Sequence, residues 1–280
     1  MIHRYRWYEK AALYLAVTLF LLILLFPFFE AVKAAFSPLS SLFRAPWHLL
    51  PEHFTLEPWR DMWRRVPYLP RYIYNSLLIA GVSTLLTLLL AVPAAYALTR
   101  LPLPGVRYLW AMFLGVNLFS GAVLLIPLYR MMKQWGLLNS YAGMIVPGTA
   151  FLIPTAIWLL RTYLTQIPRD LEEAARCDGA SRLYILRRVV LPLIKPGLVA
   201  VAVITFINSY AHQFIFALTF NSRREFMPIS VGIFDFFGRN TVQWNELMAA
   251  CVVGILPALL IFIVLQRYLI DGLTRGAVKH

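Results

Sequence analysis

Long apolar runs are the feature of this 280-residue chain that most limits its possible folds. A helix needs about 20 mostly apolar residues to cross the hydrocarbon layer of a membrane, because it rises only about 1.5 Å per residue. Six segments meet this requirement, at approximately residues 11–29, 74–98, 106–128, 141–160, 197–218 and 247–265. We therefore predict an all-α integral membrane protein with six transmembrane helices, forming one domain over residues 1–280.

The composition agrees with a membrane protein and does not favour nucleic-acid binding. Hydrophobic residues make up 60% of the chain and charged residues 14%, whereas soluble domains are nearer half apolar and a quarter charged. The net charge is +13, but the basic residues are scattered beside the apolar runs, as expected at the ends of membrane helices. Cys177 and Cys251 imply neither a disulfide framework nor a metal site.

The distribution of Lys and Arg predicts the orientation. The first apolar run is longer than the roughly 7–15 residue core of a cleaved signal peptide, so we expect a retained anchor. A modest excess of basic residues on one side predicts that both termini are cytoplasmic. The loop of residues 161–196 is then cytoplasmic, and the two long loops of residues 30–73 and 219–246 lie outside.

None of the 13 Asp and Glu residues falls within the six segments. Carriers driven by protons or other cations usually place a carboxylate at membrane depth. Its absence indicates that energy enters from outside the bilayer, and it disfavours both a self-sufficient secondary carrier and a charged substrate. A membrane-embedded enzyme is also disfavoured, because the one histidine in the segments has no partner carboxylate there.

The segments instead contain neutral polar residues that can bond to hydroxyl groups. We take the following as candidates for a substrate pathway: Asn117, Ser120, Asn208, Tyr210, His212 and Gln213. Polar residues in membranes also link helices to one another. For Asn75 and Asn117 we prefer that second interpretation, whereas the density of the 208–213 cluster favours a pathway.

The 161–196 loop is unusually polar, and its sequence predicts two short helices. Asp170 and Glu173 fit a capping box that would start a helix running from Leu171 to about Cys177. Gly179 would supply the left-handed residue that ends this helix.

Ser181 would cap the second helix, with Leu183, Leu186 and Val190 as its apolar face and with Pro192 and Pro196 ending it. Ala174 and Ala175 would leave the first helix open to close approach by another protein, which Glu172, Arg176 and Arg182 would orient. A docking helix and a connector lying on the lipid surface both fit these features.

Residues 173–192, EAARCDGASRLYILRRVVLP, match the pattern E-A-A, three residues, G, nine residues, I or V, one residue, L-P. This pattern resembles that of permease subunits of bacterial ATP-binding cassette (ABC) importers. The flanking sequences GLLNSYAG and GLTRGAVKH are similar to those of the second permease of carbohydrate importers, the group that includes the maltose system. The resemblance extends over all six segments.

The resemblance implies a type I ABC importer permease fold in a bacterial inner membrane and the import of a sugar. The loop would form a coupling helix that contacts a cytoplasmic ATPase, through Glu173, Ala174, Ala175, Asp178, Gly179 and Pro192. ATP and Mg²⁺ would be bound by two partner ATPase subunits and not by this chain, which has no phosphate-binding G-x-x-x-x-G-K-[ST] motif.

The expected partners are a second permease, an extracytoplasmic sugar-binding protein contacting residues 219–246, and membrane lipid. The tail of residues 272–280 would approach the ATPases. One departure leaves the sugar open: where many family members carry Trp-Asn and an acid, this chain has Ala211, His212 and Gln213. His212 would either bond to a substrate hydroxyl or pack between helices.

Overall fold

A computed structural model describes residues 6–43, 46, 48–116, 121–238 and 241–277, and the described residues are almost entirely helical. The only bridge between extended residues in this part of the chain joins Phe237 and Val242. Two compact units are formed. The first contains residues 1–69 and 233–255, and the second contains residues 70–232 and 256–280.

The α-helices of the described residues are numbered in chain order. They are α1 (Trp7–Ala35), α2 (Glu57–Arg65), α3 (Leu69–Arg100), α4 (Val106–Val116), α5 (Leu125–Gln134), α6 (Tyr141–Leu164), α7 (Asp170–Cys177), α8 (Arg182–Ile185), α9 (Leu191–Leu193), α10 (Lys195–Ala211), α11 (Gln213–Phe220), α12 (Ile229–Gly232) and α13 (Trp244–Ala277). A π-helical turn, Leu186–Val190, joins α8 to α9, and 3₁₀ turns occur at Leu39–Ser41, Arg224–Phe226 and Ile233–Phe236.

Four described helices, α1, α3, α6 and α13, are long and apolar enough to cross a membrane. They contain four of the six predicted spans. The predicted span 106–128 corresponds to α4 and the beginning of α5, with residues 117–120 outside the described residues. The predicted span 197–218 is divided between α10 and α11 at His212. The all-α membrane class is confirmed, and the count of six spans stays a prediction.

In the first unit, an ion pair joins the end of α2 to the beginning of α13, and a ring contact joins the end of α1 to the segment that follows it. Glu246 accepts two hydrogen bonds from Arg65, one of them 2.9 Å long from Nη2 to Oε1. The hydrogen bond to Glu246 raises the pKa of Arg65, so this guanidinium stays charged. The Phe36 ring stacks on the Phe54 ring, with 4.9 Å between their centroids.

The second unit contains a continuous apolar core that includes the end of the 161–196 loop. Its buried members come from α3, α6, α10 and the segment 185–194: Ala91, Ala95, Tyr96, Ala156, Ile157, Leu160, Leu164, Ile185, Leu186, Val190, Ile194 and Val201. Gly197 allows α10 to approach α6 closely, because a Cβ at this position would overlap the Tyr163 ring. The loop is therefore packed directly against the membrane helices of its unit.

Asn75 links the start of α3 to a loop that follows α11. Its amide Nδ2 donates to the carbonyls of Glu225 and Met227 at 2.9 and 2.8 Å. Its Oδ1 accepts a 2.8 Å hydrogen bond from the hydroxyl of Tyr141. Because Asn75 is fully buried and these bonds satisfy both ends of its amide, its predicted role in linking helices is confirmed.

Candidate functional site

The start of α7 differs from the prediction. The helix begins at Asp170 and has Arg169 as its N-cap residue, with no side-chain capping bond. The backbone N–H groups of Glu172 and Glu173 donate to the Arg169 carbonyl at 2.9 and 3.0 Å. The predicted capping box is therefore wrong. The helix starts one residue before the predicted position, so Asp170 lies in its first turn. There the negative charge of Asp170 interacts favourably with the positive end of the helix dipole.

The end of α7 agrees with the prediction. Gly179 has a φ of +82°, in the left-handed region. The Gly179 N–H donates to the Arg176 carbonyl and the Ala180 N–H to the Ala175 carbonyl, both at 3.0 Å. This pattern is a Schellman motif. The Ser181 hydroxyl then accepts from the Tyr184 N–H at 3.3 Å and caps α8, as predicted.

The predicted apolar face of the second helix is partly wrong. Leu186 and Val190 are buried, but Leu183 is 55% exposed and Ile185 is buried in its place. Residues 183 and 185 are separated by about 200° around a helix, so they face opposite sides.

The end of this helical run agrees with the prediction, because it ends at Leu193, between Pro192 and Pro196. The chain bends at Ile194, by 82° between Arg182–Leu193 and Lys195–Ala211.

The exposed face of α7 contains most of the residues predicted to contact a partner. Glu173, Ala174, Asp178 and Gly179 are exposed, while Ala175 is half-buried against the core. The Glu173 Oε1 atom lies 3.9 Å from Arg176 Nη2, which is a long distance for an ion pair. Exposed pairs of this kind contribute little stability. Pro192 is also exposed, beyond the π-helical turn. Small and charged side chains are therefore presented together to the surroundings.

The opposite face of α7 contains a residue whose role the sequence did not reveal. Glu172 is buried, and its Oε1 forms an ion pair with Arg100 Nε at 2.8 Å. Its Oε2 accepts a 2.9 Å hydrogen bond from the Tyr96 hydroxyl. The prediction that Glu172 orients a docking partner is wrong, because its carboxylate points into the protein. One sequence feature indicated that the two partners of Glu172 share a surface. Tyr96 and Arg100 are four residues apart on α3 and therefore lie on the same face of that helix.

Arg100 also fixes the end of α6. Its Nη2 donates to the carbonyls of Leu164 and Ile167, both at 2.8 Å. The last carbonyls of a helix lack partners within the helix, and a cation there also interacts favourably with the helix dipole. One guanidinium therefore holds together the ends of α3 and α6 and the buried face of α7.

A cavity of about 710 Å³ lies farther from the loop, where α10 meets α11 opposite α3 and α6. No charged side chain lines it among the described residues. Its lining includes Ile79, Ser83, Val116, Gly121, Met144, Gly148, Phe151, Leu152, Asn208, Ser209, His212, Gln213, Phe214 and Phe216. The rings of Phe151 and Phe216 are 5.7 Å apart between centroids.

The structure brings three of the predicted pathway residues to this cavity. His212 is exposed, and its Nδ1 lies 2.9 Å from the Asn208 carbonyl. Since a carbonyl only accepts, this contact places the proton of a neutral imidazole on Nδ1 and leaves Nε2 as an acceptor. Tyr210 is not part of the lining and stacks on Phe206, with 6.0 Å between centroids. Asn117 and Ser120 lie outside the described residues.

Gln213 links two helices through one end of its side-chain amide and leaves the other end without a hydrogen bond among the described residues. Its Nε2 donates to the Ser76 carbonyl at 2.9 Å, across to α3. Its Oε1 and the Ser83 hydroxyl are buried and have no hydrogen-bond partner within the described part of the chain. Both residues line the cavity. Unpaired buried polar atoms beside an aromatic wall suit a ligand that carries hydroxyl groups.

A family model described as "Binding-protein-dependent transport system inner membrane component" matches residues 73–275. The trehalose/maltose transport system permease MalG of Thermococcus litoralis is 32% identical over 273 residues, which are 97% of each chain. The sulfoquinovosyl glycerol transport system permease SmoH of Agrobacterium fabrum is 37% identical over 208 residues, covering 74% of this chain and 73% of that protein.

Solved structures show the same fold. A chain of a bacterial ABC transporter involved in the import of the acidic polysaccharide alginate has a TM-score of 0.80 at 22% identity, covering 94% of this chain and 98% of that chain. A chain of the MetNI methionine ABC transporter has a TM-score of 0.59 and covers 73% of this chain.

The fold and the relatives define the permease subunit of an ABC importer, a transport protein whose ATPase is on separate subunits. The chain belongs to the inner membrane components of binding-protein-dependent transport systems. The family resemblance expected from the 173–192 pattern is therefore confirmed. The relatives support an ATP-driven importer and not a self-sufficient secondary carrier.

Proposed function

We propose that this permease imports a neutral sugar, polyol or glycoside by alternating access, and that the exposed face of α7 receives the movement of the ATPases. The contact comprises Glu173, Ala174, Ala175, Asp178, Gly179 and Pro192. The observation that carries this proposal is the opposite face of the same helix, where Glu172 is paired with Arg100. A displacement of α7 would move α3 and α6 with it, since Arg100 of α3 bonds both to α7 and to the end of α6.

The assembly follows from the same proposal. Six spans form a single permease domain with both termini in the cytoplasm, and a second permease completes the pathway. Two ATPase subunits bind ATP and Mg²⁺ and meet α7, with residues 272–280 near them. An extracytoplasmic binding protein delivers the substrate to residues 219–246. The 710 Å³ cavity has no lining residue from the 161–196 loop, although both belong to the second unit. Coupling requires two distinct sites of this kind.

The substrate class rests on the cavity. Uncharged lining, unpaired amide and hydroxyl oxygens and an aromatic wall favour a neutral ligand with hydroxyl groups over an ion. The trehalose/maltose and diacetylchitobiose permeases among the relatives support this class. Asn208, His212 and Gln213 line the described cavity, and Asn117, Ser120 and Tyr210 remain candidates elsewhere along the pathway.

The test is ATP-dependent uptake into proteoliposomes that contain the complete importer. Glu173→Lys and Gly179→Asp should each abolish uptake while the permease still inserts and folds. Glu57→Lys, which reverses an exposed charge on α2, is the matched control and should transport normally. Normal uptake by both α7 variants would overturn the coupling proposal. Transport of the zwitterion methionine, but of neither trehalose nor maltose, would overturn the proposed substrate class.

A further inference from the structure

A second cavity lies at the end of the second unit where α7 begins. It has a volume of about 610 Å³ and lies among the end of α3, the first turns of α4 and the last turn of α6. We refer to it as the arginine cavity. Its lining residues are Leu98, Thr99, Val106, Arg107, Trp110, Arg161, Thr165 and Arg169.

Three guanidinium groups share this cavity without a carboxylate among its lining residues. Within the described part of the chain, Arg107, Arg161 and Arg169 take part in no ion pair, unlike the neighbouring Arg100. The three side chains are exposed, and like charges that line one cavity repel one another and produce a positive potential, which a bound anion relieves. The arginine cavity therefore has the electrostatics of an anion site.

Other side chains add to the site. Arg161 lies over the Trp110 ring, 4.3 Å from its centroid, so a cation–π contact positions this guanidinium. The Thr99 hydroxyl is buried and has no hydrogen-bond partner within the described residues. A hydroxyl and several guanidinium groups are donors suited to the oxygens of a phosphate.

The position of the arginine cavity distinguishes a lipid from a soluble anion. Arg107 is in the first turn of α4, and Arg161 is in the last turn of α6, a membrane-spanning candidate. Trp110 has the amphipathic character typical of the headgroup level. On α4, Tyr108 and Met112 are 79% and 52% exposed, which provides an apolar surface next to the cavity for acyl chains.

We propose that the arginine cavity binds the phosphate headgroup of an anionic phospholipid, with Arg107 and Arg161 as its main contacts. Assignment to the cytoplasmic leaflet rests on the orientation given under the proposed function. Basic pockets between membrane helices on that side are suited to anionic headgroups. The lipid would connect α4 to α6 beside the coupling helix.

Binding of short-chain phosphatidylglycerol to the purified chain in detergent tests the site without ATPases or transport. Arg107→Gln/Arg161→Gln should raise the Kd at least tenfold. Arg187→Gln/Arg188→Gln removes the same charge from exposed positions of the π-helical turn and should change the Kd less than twofold. Arg107→Lys/Arg161→Lys retains the charge and should bind better than the glutamine pair, which separates loss of charge from loss of fold.

Several results would overturn the proposal. Equal Kd values for the two glutamine pairs would do so, as would equal binding of phosphatidylcholine. If inorganic phosphate, at a concentration equal to that of the lipid, displaced the phosphatidylglycerol completely, the site would be assigned to a soluble anion instead. Loss of lipid binding when the wild-type chain assembles with its ATPases would assign the cavity to a protein contact. Because the assay uses the isolated chain, a failure here leaves the transport proposal intact.

Discussion

The Arg100 guanidinium and the Glu172 carboxylate form a buried ion pair, with 2.8 Å between Nε and Oε1 and side chains only 7% and 5% exposed. Removing one member of such a pair leaves an uncompensated charge, which typically costs about 3–5 kcal/mol. Replacing both members by apolar residues of similar size is much less costly. The pair therefore provides a way to separate the stability of this junction from its role in transport.

We predict that Glu172→Met and Arg100→Met each lower the melting temperature of the purified permease, while Arg100→Met/Glu172→Met lowers it less than either single change. The reason is that only the single variants leave a buried charge without its partner. Differential scanning fluorimetry in detergent measures this order. Arg60→Gln, which affects the exposed Arg60–Asp61 pair, is the control and should leave the melting temperature unchanged. Additive effects of the two changes would contradict the paired arrangement.

A graded series at Gly179 tests the helix terminator. A left-handed backbone costs an ordinary residue roughly 1–2 kcal/mol, whereas Asn adopts it more readily than most. No atom lies within 4 Å of a Cβ added at this position, so backbone strain should dominate. Amide hydrogen exchange at Ala180 should accelerate in the order Gly, Asn, Ala, Val. Equal exchange in Gly179→Asn and Gly179→Val would show that the positive φ is not required.

The hydrogen bonds of Asn75 predict a second graded series. Tyr141→Phe removes two bonds of the Tyr141 hydroxyl, the one that it donates to Asn75 Oδ1 and an exposed one that it accepts from Arg71, and should cost roughly 1–2 kcal/mol. Asn75→Ala also leaves the carbonyls of Glu225 and Met227 without their donor, so it should destabilise the chain more. Limited proteolysis should then cleave near these two residues faster than in Tyr141→Phe. Equal cleavage rates would contradict the anchoring role.

His212 and Gln213 should differ in their effects on transport. His212 is exposed, and its Nε2 is available to the cavity, so His212→Ala should raise the KM for uptake about two- to tenfold, the equivalent of one hydrogen bond. Gln213 also bonds to the Ser76 carbonyl, so Gln213→Ala should lower the melting temperature as well. Kinetics in proteoliposomes and thermal denaturation measure the two effects. An unchanged KM in both variants would remove these residues from the pathway.

Local features of the sequence predicted much of this fold. Four spans were recognisable because length and hydropathy alone specify them, and Gly179 and Ser181 were recognisable because caps depend on adjacent backbone geometry. The role of Glu172 was missed because its partner, Arg100, is distant in the chain and only tertiary packing brings them together. The same limit applies to His212, where an apolar run predicted one helix and the structure has a break between α10 and α11.

Pro192 illustrates a different limit. Its residue type predicted a helix end, and the helical run does end one residue later, at Leu193. The π-helical turn of residues 186–190, just before Pro192, was not predicted. Val190 and Ile194, on either side of this proline, are both buried in the core. No local pattern specifies that packing.

The reactivity of Cys177 most directly tests whether α7 contacts the ATPases. Cys177 is exposed at the end of α7, and Cys251→Ser leaves it as the single thiol of this chain. With the ATPase thiols also replaced, assembly should slow maleimide labelling of Cys177 at least tenfold. A thiol placed at exposed position 57, in a chain lacking both native cysteines, should label equally fast before and after assembly. Equal labelling of Cys177 in the free permease and in the assembled importer would contradict the account.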